Sequence, residues 1–201
     1  MKLVQQKTIN FEKWKTQILH MNELVVNEFI RLERIKYSHA FQVFQAIDRN
    51  REFLLPWLPF VAMTCTQEDT EAFIRSVMAS TVSGKEDVFV IWYQDQFAGL
   101  IGLKDTDHIN LKTEIGYWLI EALVGRGIMT RATRTLIGFV FDTMNMNRVQ
   151  IKCGVGNDKS AAIPKRLGFR FEGVERAGEK HQDRFIDLEV YSLLKSEWKN
   201  H

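Results

Sequence analysis

Hydrophobic periodicity in the first third of the chain predicts a strand followed by a helix. Residues from Phe29 to about Arg34 alternate between apolar and polar side chains, as a half-buried strand does. Apolar residues then recur at helical spacing, at Tyr37, Phe41, Phe44 and Ile47. The next stretch, Leu54–Phe60, contains two of the three prolines, which cannot continue a regular helix or a central strand. We therefore expect a rigid, aromatic-rich loop there.

A second helix and three strands are predicted to follow this loop. Thr66 stands three residues before Asp69, which is the spacing of a capping box, and the helix should end near Gly84. Phe73 and Val77 mark its expected inner face. Three apolar runs then have the pattern of strands, DVFVIWY, FAGLIGL and TEIGYWLI. The short polar turn between the first two is typical of a hairpin.

The remaining sequence predicts two further helices and three further strands. The helix that follows Gly127 has one apolar face, formed by Ile128, Ala132, Leu136, Phe139 and Val140. A strand, RVQIKCGV, precedes a short helix that ends at Gly168, and Pro164 is expected not to lie deep within that helix. Two last strands are expected near residues 169–173 and 185–194. This order of elements predicts an α+β fold with a mixed sheet.

Length and charge narrow the class of protein further. The 201 residues suffice for one domain, expected at residues 25–201 after a polar extension at residues 1–24. The net charge of +2 gives no electrostatic sign of nucleic-acid or membrane binding. The two cysteines, Cys65 and Cys153, lie far apart without metal-site spacing, so we expect a reducing compartment and no metal. The N-terminal sequence has no apolar run long enough for a signal peptide or membrane span, and we expect a cytoplasmic protein.

The stretch VGRGIMTRAT, which begins at Val124, places two glycines directly before a predicted helix. A strand, a tight glycine turn and a helix N-terminus together form an anion site, because the N–H groups of the first helical turn are free. Gly125 and Gly127 would let a phosphate approach the backbone. The glycine spacing matches neither a P-loop nor a dinucleotide-binding fingerprint. On the glycines alone, a plain turn into a helix is an equal alternative.

Two longer stretches resemble the GNAT N-acetyltransferase superfamily. IGYWLIEALVGRGIMTRA resembles its acetyl-CoA-binding core, and NRVQIKCGVGNDKSAAIPKRLGFRFEGVERAGE resembles its second motif. More narrowly, both look like the RimJ/RimL branch, which acetylates protein N-termini, with ribosomal proteins as the best-known acceptors. The resemblance extends from about Leu24 to Trp198 and implies a twisted, mostly antiparallel sheet flanked by helices on both faces. One position departs from the family pattern, because its phosphate loop usually begins with Gln or Arg and this chain has Val124.

The resemblance implies where acetyl-CoA would bind. The strand backbone at Tyr117, Trp118 and Leu119 would pair with the pantetheine arm. The diphosphate would be held by the N–H groups of Gly125, Arg126, Gly127, Ile128 and Met129. Asn157 matches an asparagine that contacts the pantetheine, and Ser160 matches a serine proposed to protonate the CoA thiolate. Ser160 could instead bond its own backbone at the start of a helix.

Acetyl transfer needs a base, because an ammonium group cannot attack a thioester. Two carboxylates compete for this role. Glu114 lies on the strand TEIGYWLI, on the same side as Gly116 and Trp118 by alternation. Glu179 occupies the place of a candidate base in RimL-like members. Glu114 could instead face solvent or pair with a lysine or arginine, and Glu179 could be an exposed turn residue.

Other polar and aromatic residues carry weaker expectations. His108 and His181 lie in polar stretches and are expected at the surface. Cys153 is expected to be a packing residue without a catalytic role. The resemblance places Trp57 and Phe60, in the proline-rich loop, near the acceptor groove.

The resemblance implies an enzyme that moves the acetyl group of acetyl-CoA directly to an amine. The expected acceptor is the N-terminal α-amino group of a protein. Two alternatives stay open, namely a small-molecule acceptor such as a polyamine or amino sugar, and an acyl-CoA-binding module without turnover. RimL-like proteins often pair, so a homodimer is a further expectation.

Overall fold

One mixed sheet of eight strands organises the described part of the chain. The computed structural model describes residues 21–198. The strands are β1 (Glu23–Val25), β2 (Ile30–Arg34), β3 (Asp87–Tyr93), β4 (Gln96–Asp107), β5 (Lys112–Leu119), β6 (Arg148–Gly154), β7 (Arg170–His181) and β8 (Arg184–Leu194). Their spatial order is β1-β2-β3-β4-β5-β6-β8-β7. Every neighbouring pair is antiparallel except β5 with β6. The predicted mixed, mostly antiparallel sheet is thus confirmed.

Six α-helices connect these strands in the described residues. They are α1 (Ala40–Arg49), α2 (Arg51–Leu54), α3 (Phe60–Met63), α4 (Gln67–Ser83), α5 (Ile128–Gly138) and α6 (Asp158–Arg166). Short 3-10 helices lie at Tyr37–His39 and Glu121–Leu123. Helix α5 continues into a π-helical turn, Phe139–Thr143, so the predicted apolar stripe of α5 ends in that turn.

Helix α4 begins and ends where the sequence predicts. Thr66 and Asp69 form a capping box, and Gly84 ends the helix in the left-handed conformation. The expectation that Phe73 lies on the inner face is wrong, because this residue is 44% exposed while the adjacent Ile74 is fully buried. One residue rotates the helix by about 100°, so the buried stripe follows the neighbouring positions. That stripe is formed by Thr70, Ile74 and Val77.

Helices pack on both faces of the sheet, as expected. On one face, α5 contributes to a core with β3, through Ile128, Ala132 and Leu136. On the other face, α1 and α4 pack against Val90 and Leu100. Successive residues of β3 alternate between these two cores, with Phe89 in the first and Val90 in the second.

The two parallel strands, β5 and β6, separate from each other along the sheet. In the described chain they pair through three residue pairs, the last of which joins Glu114 to Gln150. Beyond this point β5 stays paired with β4 as far as Leu119, and β6 stays paired with β8 as far as Gly154. A gap therefore opens in the middle of the sheet.

The C-terminal hairpin is longer than the sequence predicts. The strand expected at residues 169–173 is β7, which has 12 residues and ends at His181. Its pairing with β8 shifts register twice, after Phe171 and after Glu175, and Ala177 has a φ of 51°. These irregularities interrupt the alternation of apolar and polar residues, so the segment has the sequence of a polar turn.

The N-terminal boundary is only partly within the described residues. Most of the expected extension, residues 1–24, lies outside them, and Glu23 and Leu24 belong to β1. Within residues 21–198, helices are too short or too polar to cross a membrane.

Candidate active site

The gap between β5 and β6 opens into a cleft of about 810 Å³. One wall is the end of β5, at residues 117–119. A second wall is the glycine turn, with Val124, Gly125 and Gly127, and a third is the beginning of α6. Such a volume is typical of pockets that bind cofactors and other low-molecular-weight ligands.

The glycine turn takes a conformation that other residues rarely adopt. Gly125 has a φ of 84° and Gly127 a φ of 73°. Gly127 is the N-cap of α5, so a side chain is not available there to cap the first-turn N–H groups, and Ile128 and Met129 line the cleft. An uncapped helix N-terminus of this kind favours an anion. Arg126 is exposed and, unlike its four predicted neighbours, does not line the cleft.

Basic side chains line the same cleft. Arg131, Lys159 and Arg166 are among its lining residues, together with the carboxylate of Asp158. Nη1 of Arg166 donates to Oγ1 of Thr130 at 3.1 Å, which holds this guanidinium beside the first turn of α5. The cleft thus combines backbone donors with cations, an arrangement that suits a phosphorylated ligand.

Asn157 and Ser160 meet at the beginning of α6, and both line the cleft. Oδ1 of Asn157 accepts the N–H of Ser160 at 3.2 Å, so Asn157 caps the helix. Oγ of Ser160 lies 3.3 Å from Sγ of Cys153 and 3.5 Å from Oη of Tyr117. The Ser160 hydroxyl therefore contacts one side chain of β5 and one of β6, in the region where these two strands are no longer paired.

Both neighbours of the Ser160 hydroxyl are held in their neutral forms. Burial raises the pKa of the Cys153 thiol above its ordinary value. Burial likewise raises the pKa of the Tyr117 hydroxyl well above its ordinary value. Cys153 is buried, as expected for a packing residue, and it also contacts Ser160.

A second groove, of about 370 Å³, meets the cleft at Tyr117 and Trp118, which line both. Its walls are mostly apolar and include Val43, Ile47, Leu58, Phe60, Phe73 and Val77. Its charged lining residues are Glu86, Lys104 and Glu179. A ligand in the cleft and a second ligand in the groove would therefore meet at β5.

Glu114, one of the two predicted bases, is buried and paired. Its Oε1 lies 2.8 Å from Nζ of Lys104, and its Oε2 accepts a hydrogen bond from Nε2 of Gln150 at 3.0 Å. Nζ of Lys152 lies 3.9 Å from the same Oε2. Burial opposes the charge on Lys104, yet the Glu114 carboxylate raises the pKa of Lys104 above its usual value. Glu114 thus adopts the lysine-paired arrangement that the sequence left open.

Glu179, the other predicted base, lines the groove and lies on β7 rather than in an exposed turn. Its Oε2 is 2.7 Å from Nε2 of His181. The expectation that His181 lies at the surface is wrong, because its side chain is buried. The polar sequence around His181 is typical of an exposed turn, but β7 continues as far as His181 and buries it.

The remaining predicted residues divide between the two pockets. Trp57 lines the cleft and Phe60 lines the groove. His108 is half-buried, with Nε2 2.8 Å from the carbonyl oxygen of Gly84, and not exposed as expected. Residues 21–198 contain no group of three or more His, Cys, Asp or Glu side chains that could hold a metal.

Comparison with known proteins agrees with this geometry. The profile of the acetyltransferase (GNAT) domain matches residues 30–170. YdaF of Bacillus subtilis (strain 168), which has the provisional name of a ribosomal N-acetyltransferase, is 36% identical over 176 residues, 87% of this chain and 96% of that protein. The ribosomal-protein-serine acetyltransferase of Escherichia coli (strain K12) is 29% identical over 169 residues, 84% of this chain and 94% of that protein.

The fold agrees as well. A structure of RimL, a ribosomal L7/L12 alpha-N-protein acetyltransferase in complex with coenzyme A, matches with a TM-score of 0.83 and 26% identity, covering 86% of this chain and 97% of that one. The sheet, its flanking helices and the two motif-bearing stretches are therefore those of one family. The chain belongs to the GNAT family of acetyltransferases.

Proposed function

We propose that the protein transfers the acetyl group of acetyl-CoA to the α-amino group at the N-terminus of a protein. The observation that carries this proposal is the meeting of two pockets at Tyr117 and Trp118. One pocket is cation-lined and suits a nucleotide, and the other contains Glu179. The names of the relatives, which refer to ribosomal proteins, support a protein acceptor.

We assign the diphosphate of CoA to the glycine turn. The N–H groups proposed to hold it are those of Gly125, Arg126, Gly127, Ile128 and Met129. Arg131 and Arg166 line the same end of the cleft and would add charge. Val124 removes a side-chain donor that the family usually has, but backbone N–H groups supply most of such binding.

We assign the pantetheine arm to the gap between β5 and β6. The backbone of Tyr117, Trp118 and Leu119 borders this gap, and an extended amide chain can add to such an edge as a strand does. Asn157 lies on the opposite wall as a side-chain partner. This placement puts the thioester near Ser160, whose hydroxyl would donate a hydrogen bond to the departing sulfur.

We assign the base to Glu179 rather than to Glu114. Glu114 would have to give up its ion pair with Lys104 before it could take a proton. Glu179 lines the groove, keeps 35% of its side chain exposed and is oriented by His181. It would take the proton of the acceptor ammonium group directly or through one water molecule.

The groove favours a protein N-terminus over a polyamine. Lys104 is ion-paired with Glu114, and the described residues that line the groove add only the carboxylates of Glu86 and Glu179, not the dense acidic cluster that would favour a polycation. The apolar walls suit the side chains of a peptide. We further propose a cytoplasmic protein with free thiols at Cys65 and Cys153, acting as a homodimer without metal and without direct contact to nucleic acid or membrane.

The test is release of the CoA thiol from acetyl-CoA in the presence of different amines. We expect release with a peptide that has a free N-terminal Ser, and none with the same peptide acetylated at its N-terminus. Spermidine and glucosamine serve as small-amine acceptors. Release with these alone would contradict a protein acceptor, and CoA binding without any release would contradict an enzyme.

A further inference from the structure

Helix α6 contains a proline, Pro164, in its last turn. A helical residue normally donates its N–H to the carbonyl four residues earlier, and proline has no N–H. The carbonyl of Ser160 therefore cannot receive this helical hydrogen bond.

Tyr117 supplies a hydrogen bond to that carbonyl from across the cleft. Its hydroxyl donates to the carbonyl oxygen of Ser160 at 3.1 Å. Tyr117 belongs to β5 and Ser160 to α6, so this bond connects two walls of the cleft.

This hydrogen bond also determines which atom is the donor in the neighbouring contact between Tyr117 and Oγ of Ser160. A tyrosine hydroxyl has one proton, and the carbonyl of Ser160 takes it. Towards Oγ of Ser160, which lies 3.5 Å away, the Tyr117 hydroxyl can then act as an acceptor but not as a donor. Sγ of Cys153, at 3.3 Å, is the other neighbour of this Oγ. The Ser160 hydroxyl is left as a donor held by a long, weak contact.

The geometry points to Tyr117 and Pro164 as positioning residues that keep the Ser160 hydroxyl available to the sulfur of CoA, an inference that rests on the proposed function. When the amine nitrogen bonds to the acetyl carbon, the C–S bond breaks and its electron pair stays on sulfur. A thiolate is a stronger acceptor than the hydroxyl of Tyr117, so the Ser160 hydrogen bond turns to the sulfur and stabilises its charge. The proton stays on Ser160, and the proton of the amine goes to the base.

The test compares Tyr117→Phe, Ser160→Ala and the double variant, with acetyl-CoA and a peptide that has a free N-terminal Ser. We expect Tyr117→Phe to lower kcat by about 5–10-fold, the size of one lost hydrogen bond, with little change in the KM for acetyl-CoA. Ser160→Ala should lower kcat at least as much. The double variant should lose no more than Ser160→Ala, because Tyr117 acts through Ser160. Tyr93→Phe, in β3, is the control for loss of a hydroxyl.

A second variant, Pro164→Ala, tests the same idea without removing a side-chain hydroxyl. The new N–H can donate to the Ser160 carbonyl and compete there with the Tyr117 hydroxyl, whose proton can then turn to Oγ of Ser160. We expect kcat to fall by about 2–5-fold, within the range of one hydrogen bond, while circular dichroism shows an intact fold. In the Tyr117→Phe background the same change should leave kcat unaltered.

Unchanged kcat in Tyr117→Phe, or losses that multiply in the double variant, would overturn the inference while leaving the proposed function intact. If Tyr117→Phe does not fold, unchanged kcat in Pro164→Ala overturns it equally. A wild-type protein that binds CoA but transfers no acetyl group would overturn the proposed function, and this inference with it.

Discussion

Nε2 of His181 lies 2.7 Å from Oε2 of Glu179, two residues earlier on β7. Alternate residues of a strand share one face, so the two side chains lie side by side. His181 is only 5% exposed, and an imidazole held by packing can fix the orientation of a carboxylate. Glu114, by contrast, has no oxygen free to accept a proton from a substrate, because Lys104 contacts one of its oxygens and Gln150 donates to the other. This contrast separates the two candidate bases.

Replacement of Glu179 by glutamine should therefore have a different consequence from replacement of Glu114. We expect Glu179→Gln to lower kcat by about 100-fold, the usual contribution of a general base, with unchanged affinity for CoA by calorimetry. Glu114→Gln should instead lower the melting temperature, because Lys104 and Lys152 lose the carboxylate they face. A large loss of kcat in a stable Glu114→Gln, with full activity in Glu179→Gln, would reverse the assignment.

Removal of the His181 imidazole should make Glu179 a less effective base without abolishing acetyl transfer. We expect His181→Ala to lower kcat by about 5–10-fold, because the Glu179 carboxylate loses one charge-assisted hydrogen bond. The matched control is His108→Ala, which removes an imidazole that contacts the Gly84 carbonyl instead. Steady-state kinetics on both variants decides the matter, and equal effects would show that His181 does not support Glu179.

The glycine turn can be tested with two alanines in the same region. Gly127 has a φ of 73°, so Gly127→Ala should strain the turn by about 1–2 kcal/mol and raise the Kd for CoA about tenfold. Gly138, at the other end of α5, has a φ of −56°, and Gly138→Ala should leave the Kd unchanged and stabilise the helix slightly. Calorimetry with CoA measures both. Equal Kd values for the two variants would contradict a role of this turn in binding.

Acid should weaken the C-terminal part of the sheet through Glu172. Both oxygens of Glu172 accept from Arg148, at 2.7 and 2.6 Å, and Oγ of Ser192 also donates to it. The guanidinium of Arg148 and this hydroxyl lower the pKa of Glu172 from 4.5 to about 2. A lowered pKa in the folded state stabilises the fold above pH 4.5, and this stabilisation is lost as the pH falls towards 2.

We therefore expect Glu172→Gln to reduce the free energy of unfolding at pH 7 by only about 1 kcal/mol, since the pair is partly exposed. The difference from wild type should shrink as the pH falls below 4.5. Urea unfolding at several pH values measures it, with Glu28→Gln, an exposed carboxylate, as the control. A difference that stays constant down to pH 3 would contradict a stabilisation that depends on the ionised Glu172 carboxylate.

Local sequence signals predicted most of the elements that build the site. Thr66 with Asp69 marked the start of α4, and the glycines before Ile128 marked the turn into α5. Such signals act over a few residues, so one sequence suffices to detect them. The short helix predicted after the strand RVQIKCGV is likewise present as α6, and Asn157 is its N-cap.

Long-range relations were not accessible from the sequence. The separation of β5 from β6 after Glu114 depends on which strands pair, and periodicity contains no such information. His181 is buried at the end of β7, where it pairs with Arg184 of β8, and the hydrogen bond between Tyr117 and Ser160 joins residues 43 positions apart. Each relation requires the folded sheet.

The most direct measurement is tandem mass spectrometry of a peptide incubated with acetyl-CoA and the protein. The peptide has a free N-terminal Ser and one internal Lys, and spermidine is present in the same mixture. We expect the acetyl group on the α-amino nitrogen, and neither on the lysine nor on spermidine. Acetylation of spermidine or of the lysine alone, with the peptide N-terminus unmodified, would contradict the proposed activity.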